Sequence, residues 1–173
     1  MKNRSLNRLR GFDYSNSRNY FITICVKDKI RALGKIENKV MQLSPEGIIV
    51  REQLEWLVFQ YPYIDLVTYI IMPDHIHCII KINSGYYNNV IDDVIIGNGR
   101  DRSLHKATVG DRYKIKPLPE LIGAFKTTAS KRIHLSGNPE FEWQKSYHDH
   151  IIRNARSLII IQHYIESNPE RFV

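Results

Sequence analysis

Two histidines, His75 and His77, sit two residues apart in the run Met72-Pro73-Asp74-His75-Ile76-His77-Cys78-Ile79-Ile80. On a β-strand, side chains alternate between faces, so both imidazoles point the same way while Ile76, Cys78, Ile80 and Ile82 form the opposite, apolar face. Paired imidazoles on a rigid strand are half of a metal site. The plainer alternative is one buried and one exposed histidine on an ordinary strand. Far along the chain, Tyr164 and Asn168 stand four residues apart, the spacing that puts two side chains on one face of a helix. A phenol there is a packing residue or a nucleophile, and Asn168 on its own reads as a helix-end residue. Tyr147, in the aromatic and basic stretch 141–153, is the rival nucleophile. Strand packing or base stacking is its simpler use.

These residues need elements to hold them. Asn19 to Val26 is β-branched and aromatic and predicts a strand. Gly34–Ile36 with Val40–Leu43 predicts a short hairpin or an extended connection. Ser44 as N-cap and Pro45 at the first helical position open a helix that runs to about Gln60, before Pro62. Ile64–Met72 and His75–Ile82 predict two strands joined by a tight Pro73-Asp74 turn. Leu121, Ile122, Phe125, Ala129 and Ile133 have helical spacing and predict a helix from Pro119 to about Leu135. Phe141 to about Asp149 predicts a strand. A last helix, from about Asn154 to Ser167, carries Leu158, Ile161 and Ile165 as its stripe and ends at Asn168-Pro169. The expected architecture is α+β, an antiparallel β-sheet flanked by α-helices. The chain reads as a single domain over 1–173, with a basic arm at 1–19 and a long loop or insertion at 84–116. There is no internal repeat or low-complexity tract.

Bulk composition narrows the partners. The 173 residues hold 25 Lys and Arg against 18 Asp and Glu, a net charge of +7, with ten Tyr and six Phe. The pI is about 9.4. A basic surface interleaved with aromatics suits nucleic acid, with unpaired bases stacking on rings. Cys25 and Cys78 fall in strand-like runs and read as small buried apolar residues. No run is long and apolar enough for a transmembrane helix, and the N-terminus lacks a signal-peptide core, so a cytoplasmic protein without a membrane partner is expected.

The chain resembles the HUH endonucleases, in which U is a hydrophobic residue, and within them the REP-associated tyrosine transposases, named for repetitive extragenic palindromic DNA. Four stretches carry the likeness, in order: Arg10-Gly11-Phe12-Asp13-Tyr14 leading to Tyr20-Phe21-Ile22-Thr23; Met72 to His77; Trp143 to Asn154; and Tyr164-Ile165-Glu166-Ser167-Asn168-Pro169. The resemblance implies a ferredoxin- or RRM-like HUH fold and a metal-dependent nickase and strand transferase for single-stranded, hairpin-bearing DNA. Tyr164 would be the catalytic nucleophile, forming a 5′-phosphotyrosine. His75, His77 and Asn168 would hold the divalent ion, Mg²⁺ or Mn²⁺, with the imidazoles favouring Mn²⁺. Arg4, Arg8, Arg10, Lys126, Lys131, Arg132, Lys145 and Arg153 are the expected DNA contacts. His148, His150 and Lys145 are candidates for lowering the phenol's pKa. A homodimer is possible within the superfamily, where the tyrosine helix comes from either chain. Two other readings compete. One is a non-catalytic binder of single-stranded or hairpin nucleic acid, which needs none of the His-Tyr-Asn geometry. The other is a zinc hydrolase, which needs a third strong ligand that no His-Glu-x-x-His spacing supplies.

Overall fold

The computed structural model describes residues 11–86 and 115–171. Its centre is a four-stranded antiparallel sheet in the order β4-β5-β1-β6, made of β1 (Arg18–Cys25), β4 (Ile64–Met72), β5 (His75–Ile82) and β6 (His148–Ile152). A separate hairpin pairs β2 (Gly34–Glu37) with β3 (Val40–Leu43). The helices are α1 (Pro45–Gln60), α2 (Leu118–Leu135), α3 (Ala155–Glu166) and the short α4 (Asn168–Arg171). This is an α+β fold, as the strand and helix patterning implied.

Each face of the sheet has its own layer. Tyr20, Ile22 and Ile24 of β1 and Ile76, Cys78, Ile80 and Ile82 of β5 form one face. That face is covered by Val50, Leu54 and Leu57 of α1 and by Leu121, Ile122, Phe125, Ala129 and Ile133 of α2, all buried. Both helices show the three- and four-residue spacing that makes one apolar stripe. Burial pushes the Cys78 thiol up to about 12, so it packs as a small apolar residue. Gly47 lies on the core side of α1, where its bare Cα approaches the Leu33 carbonyl. Ser44 caps α1, accepting from the Gly47 amide at 3.1 Å.

The opposite face is lightly covered. A smaller cluster of Ile79, Ile152 and Ile165, flanked by Phe21, Val67, Ile70, Leu158 and Ile161, seats α3 on the sheet. Pairing fixes what else lies there. His77 is opposite Thr23, His75 opposite Cys25 and Ile79 opposite Phe21 on β1. On β6, His148 is opposite Thr23 and His150 opposite Phe21. Facing residues in adjacent strands share a face, so all four of these histidines project from the side that carries α3.

One expectation needs correction. The strand expected over 141–149 is displaced: β6 begins at His148, and before it only Trp143 forms a single bridge, to Val26. Phe141, Trp143 and Tyr147 are buried in the main core. Their alternation mimics a strand, yet the segment is held by just two ladder-like bonds, Lys27 N–H to the Glu142 carbonyl and Gln144 N–H to the Cys25 carbonyl, each 2.9 Å. The last long helix ends just before Asn168-Pro169, as expected, and a separate short helix follows. α3 stops at Glu166, Ser167 turns, and α4 starts at Asn168; proline is well accommodated in a first helical turn. Of the basic arm expected at 1–19, residues 11–19 are described. Tyr14 is buried in the core, and Arg18 opens β1. The loop expected at 84–116 lies mostly outside the described residues.

Candidate active site

The site is built on the β4–β5 hairpin. The strands are joined by Pro73 and Asp74 alone, with Met72 paired to His75. This puts His75 and His77 at the beginning of β5, beneath α3. Their Nε2 atoms are 3.2 Å apart. Each ring is gripped through its other nitrogen. Nδ1 of His75 is 2.5 Å from Asp74 Oδ1, and Nδ1 of His77 is 2.9 Å from Thr23 Oγ1. An ionised carboxylate only accepts, so His75 donates from Nδ1, and in the neutral ring its Nε2 carries a lone pair. Two ring nitrogens at that separation need a proton or a cation between them. Two imidazole nitrogens each about 2 Å from one ion are themselves roughly 3 Å apart, so the spacing suits a shared cation.

His77 is 7% exposed. Burial, then the neighbouring His75, then the Lys29 ammonium, push its pKa down to about 4. It is thus neutral at physiological pH, the form that ligates. The Phe21 ring lies 5.4 Å from the His77 ring, and the edge of Tyr164 packs on Phe21 at 6.2 Å. Asp74, Thr23 and Phe21 were not singled out from sequence. The carboxylate's adjacency to His75 was a readable signal, whereas Thr23 and Phe21 become visible only through the strand register.

α3 delivers the phenol. Asn154 caps it, its side chain accepting from the Ser157 amide at 2.8 Å. Leu158, Ile161 and Ile165 seat its inner stripe. Tyr164 projects beside that stripe, and its hydroxyl is 3.5 Å from His77 Nε2, the outer limit of a hydrogen bond. Asn168 follows one turn later, across the break at Ser167, and is 8% exposed. No hydrogen bond among the described residues joins it to either histidine. Among the described residues, no group of three or more His, Cys, Asp or Glu could hold a metal ion. The described side chains bring together two oriented imidazoles, one protein ligand fewer than a catalytic zinc site carries. Tyr147, the rival, is buried in the core on the opposite face.

The expected DNA contacts are dispersed. Arg4, Arg8 and Arg10 lie outside the described residues. Lys126 is half-buried and donates to the backbone carbonyls of Gln144 (2.5 Å) and Lys145 (3.3 Å). Arg132 pairs with Glu52 at 2.5 Å, and Lys131 lines a shallow cleft with Ser130 and His134. These three are on α2, across the sheet from Tyr164. Lys145 lines a cleft with Lys27, Lys29 and Gln144. Arg153 lines another, with His150, Asn154 and Ser157, at the start of α3.

The fold is transposase-like. Over 95% of this chain and 73% of the other, it superposes on the structure of a REP-associated tyrosine transposase bound to a REP hairpin, with a TM-score of 0.58 and 16% sequence identity. A candidate transposase from Deinococcus radiodurans R1 is more distant, at a TM-score of 0.48 and 16% identity over 92% of this chain and 95% of that one. In sequence, the chain is 29% identical over 162 residues, 94% of its length and 86% of the other's, to an uncharacterized protein of Haemophilus influenzae. No protein-family model matches. Among the described residues, no helix is long and apolar enough to cross a membrane.

Proposed function

We propose that this protein is a metal-dependent endonuclease and strand transferase for single-stranded DNA carrying a hairpin, working through a 5′-phosphotyrosine on Tyr164. One observation carries the reading: the Tyr164 hydroxyl lies 3.5 Å from His77 Nε2, which is itself 3.2 Å from His75 Nε2. A packing tyrosine needs no such pair, and a pure nucleic-acid binder needs neither. The resemblance to REP-associated transposases, and the hairpin bound by the solved one, supply the class of substrate.

In this reading, the Tyr164 oxygen gives up its proton to solvent and attacks a backbone phosphorus, the bond from phosphorus to the 3′ oxygen breaks, and that oxygen takes up a proton and leaves as a 3′-hydroxyl. The phosphoester is conserved on tyrosine, so a 3′-hydroxyl reverses the step and joins strands without ATP. A Mg²⁺ or Mn²⁺ ion held by His75, His77 and Asn168 would offset charge on the phosphodiester. Asp74 and Thr23 hold the two rings in the orientation that ligation requires. Phe21 packs against both the Tyr164 and His77 rings, which also touch each other with centroids 5.4 Å apart.

The test is incubation with hairpin-bearing single-stranded DNA and Mn²⁺. The wild-type protein should form a covalent adduct that maps to Tyr164. Tyr164→Phe should retain DNA binding and lose the adduct. His75→Ala and His77→Ala should lose adduct and metal binding while staying folded, since the core face of β5 is Ile76, Cys78, Ile80 and Ile82. An adduct on Tyr147, or one that survives Tyr164→Phe, overturns the assignment.

A further inference from the structure

The loop after β1 brings a second charge to the histidines. Residues Lys27 to Ile30 make a tight turn closed by the Ile30 amide on the Lys27 carbonyl at 3.2 Å. Its two central residues are both left-handed: Asp28 at φ 53° and Lys29 at φ 58°. Turns of this kind favour Asp or Asn first and Gly second, because a Cβ at the second position is crowded. Lys29 occupies the place that suits glycine. The turn is clasped to the one that precedes His75: the Val26 amide donates to the Asp74 carbonyl and the Leu33 amide to the Pro73 carbonyl, each at 2.9 Å. From there the Lys29 ammonium folds back to 3.4 Å from Cys25 Sγ, and Cys25 is the cross-strand partner of His75.

The simple account makes Lys29 the counter-ion of Asp74. The geometry argues against it. Asp74 is committed to His75 at 2.5 Å, whereas Lys29 stands 3.8 Å from the other carboxylate oxygen, beyond hydrogen-bond range. The Lys29 side chain is 60% exposed, against 15% for Asp74. Its ammonium therefore keeps donors for an arriving anion at the open side of the histidine pair.

We propose that Lys29 is a phosphate-binding residue of this site, meeting a non-bridging oxygen of the DNA strand beside His75 and His77. The inference rests on the proposed strand-transfer reading for its substrate. Its ammonium would supply that oxygen with a charge-assisted hydrogen bond.

The β2–β3 hairpin supplies an internal control, because Asn38 (φ 50°) and Lys39 (φ 63°) repeat the same left-handed pair. Lys29→Gly and Lys39→Gly should each raise the thermal midpoint by relieving a crowded Cβ. Lys29→Gly alone should weaken binding of a hairpin-bearing single strand and slow its adduct at subsaturating DNA, each about tenfold, the order expected for one charged hydrogen bond. Lys29→Arg should restore most of both. Lys29→Gly with wild-type binding and adduct formation overturns the proposal. A lower midpoint in Lys29→Gly also overturns it, by showing that the ammonium holds the turn together. If the wild-type protein forms no adduct at all, the strand-transfer reading fails, and strand affinity across the same variants still decides whether Lys29 binds phosphate.

Discussion

Acidifying the metal-free protein tests the burial of His77 directly. An unfolded histidine titrates near 6.5, and the folded His77 near 4, a depression of about 2.5 units. Above pH 6.5 the residue is neutral in both states and contributes no pH dependence. Between 6.5 and 4 the unfolded chain binds a proton that the native state refuses, so stability falls as pH falls. Below about 4 the native state accepts the proton too, and the slope ends. At 1.36 kcal/mol per unit, the depression of His77 from 6.5 to about 4 amounts to roughly 3 kcal/mol lost across the window. Other groups titrate in the same range, so the quantity to measure is a difference. Urea unfolding of wild type and of His77→Gln, in chelator from pH 7 to pH 4, isolates one residue. The wild type should lose about 3 kcal/mol more than the variant, with most of that difference appearing between pH 6 and 4.5. Parallel profiles would refute the reasoning, since His77 would then be as hydrated as an unfolded histidine.

Three further outcomes are expected. Gly47→Ala should lower the unfolding midpoint although alanine is the better helix former by about 1 kcal/mol, because the new Cβ would stand 2.1 Å from the Leu33 carbonyl oxygen; a thermal melt equal to or above wild type would contradict that packing. Asp74→Asn should weaken Mn²⁺ binding about ten- to hundredfold by calorimetry, through loss of the carboxylate that orients His75, while the unfolding midpoint measured in chelator changes little. Asn154→Ala should cost about 1 kcal/mol, appearing as faster amide exchange along α3 and a smaller adduct yield, and uniform exchange rates would show that the cap does not hold the helix.

Much of this arrangement was legible in the residues because local patterns and global packing agree. Ser44-Pro45 announces the start of α1, and period-two alternation from His75 to Ile82 separates a chemical face from an apolar one. Asn154 marks the cap of α3 as read. The failures come from the same rules meeting non-local structure. Phe141, Trp143 and Tyr147 alternate like a strand, but what they satisfy is burial under the main core rather than a ladder. Thr23 gave no hint, since its role depends on which residue of β5 lies opposite, and that is set by register across 54 residues of sequence. Lys29 reads as surface charge until the left-handed turn that directs it is known. Of the basic residues expected at DNA, Lys126 and Arg132 are bonded to protein groups, a distinction that charge counting does not draw.

The two-residue link between β4 and β5 has a consequence for how such a chain can change over generations. Pro73 and Asp74 tie Met72 to His75, so the parity of every residue on β5 is set by the length of that link. One residue gained or lost there exchanges the faces, driving both imidazoles into the apolar layer and turning Ile76 and Cys78 outward. Substitutions within the link are admissible, but indels are not. Elsewhere β4 contains such an irregularity, between Leu66 and Thr68, at the far end of the strand from the histidines. Lineages descended from this sequence should therefore drift in length near that bulge and keep a constant count between Met72 and His75, even where the two histidines are replaced, because the core depends on the same parity.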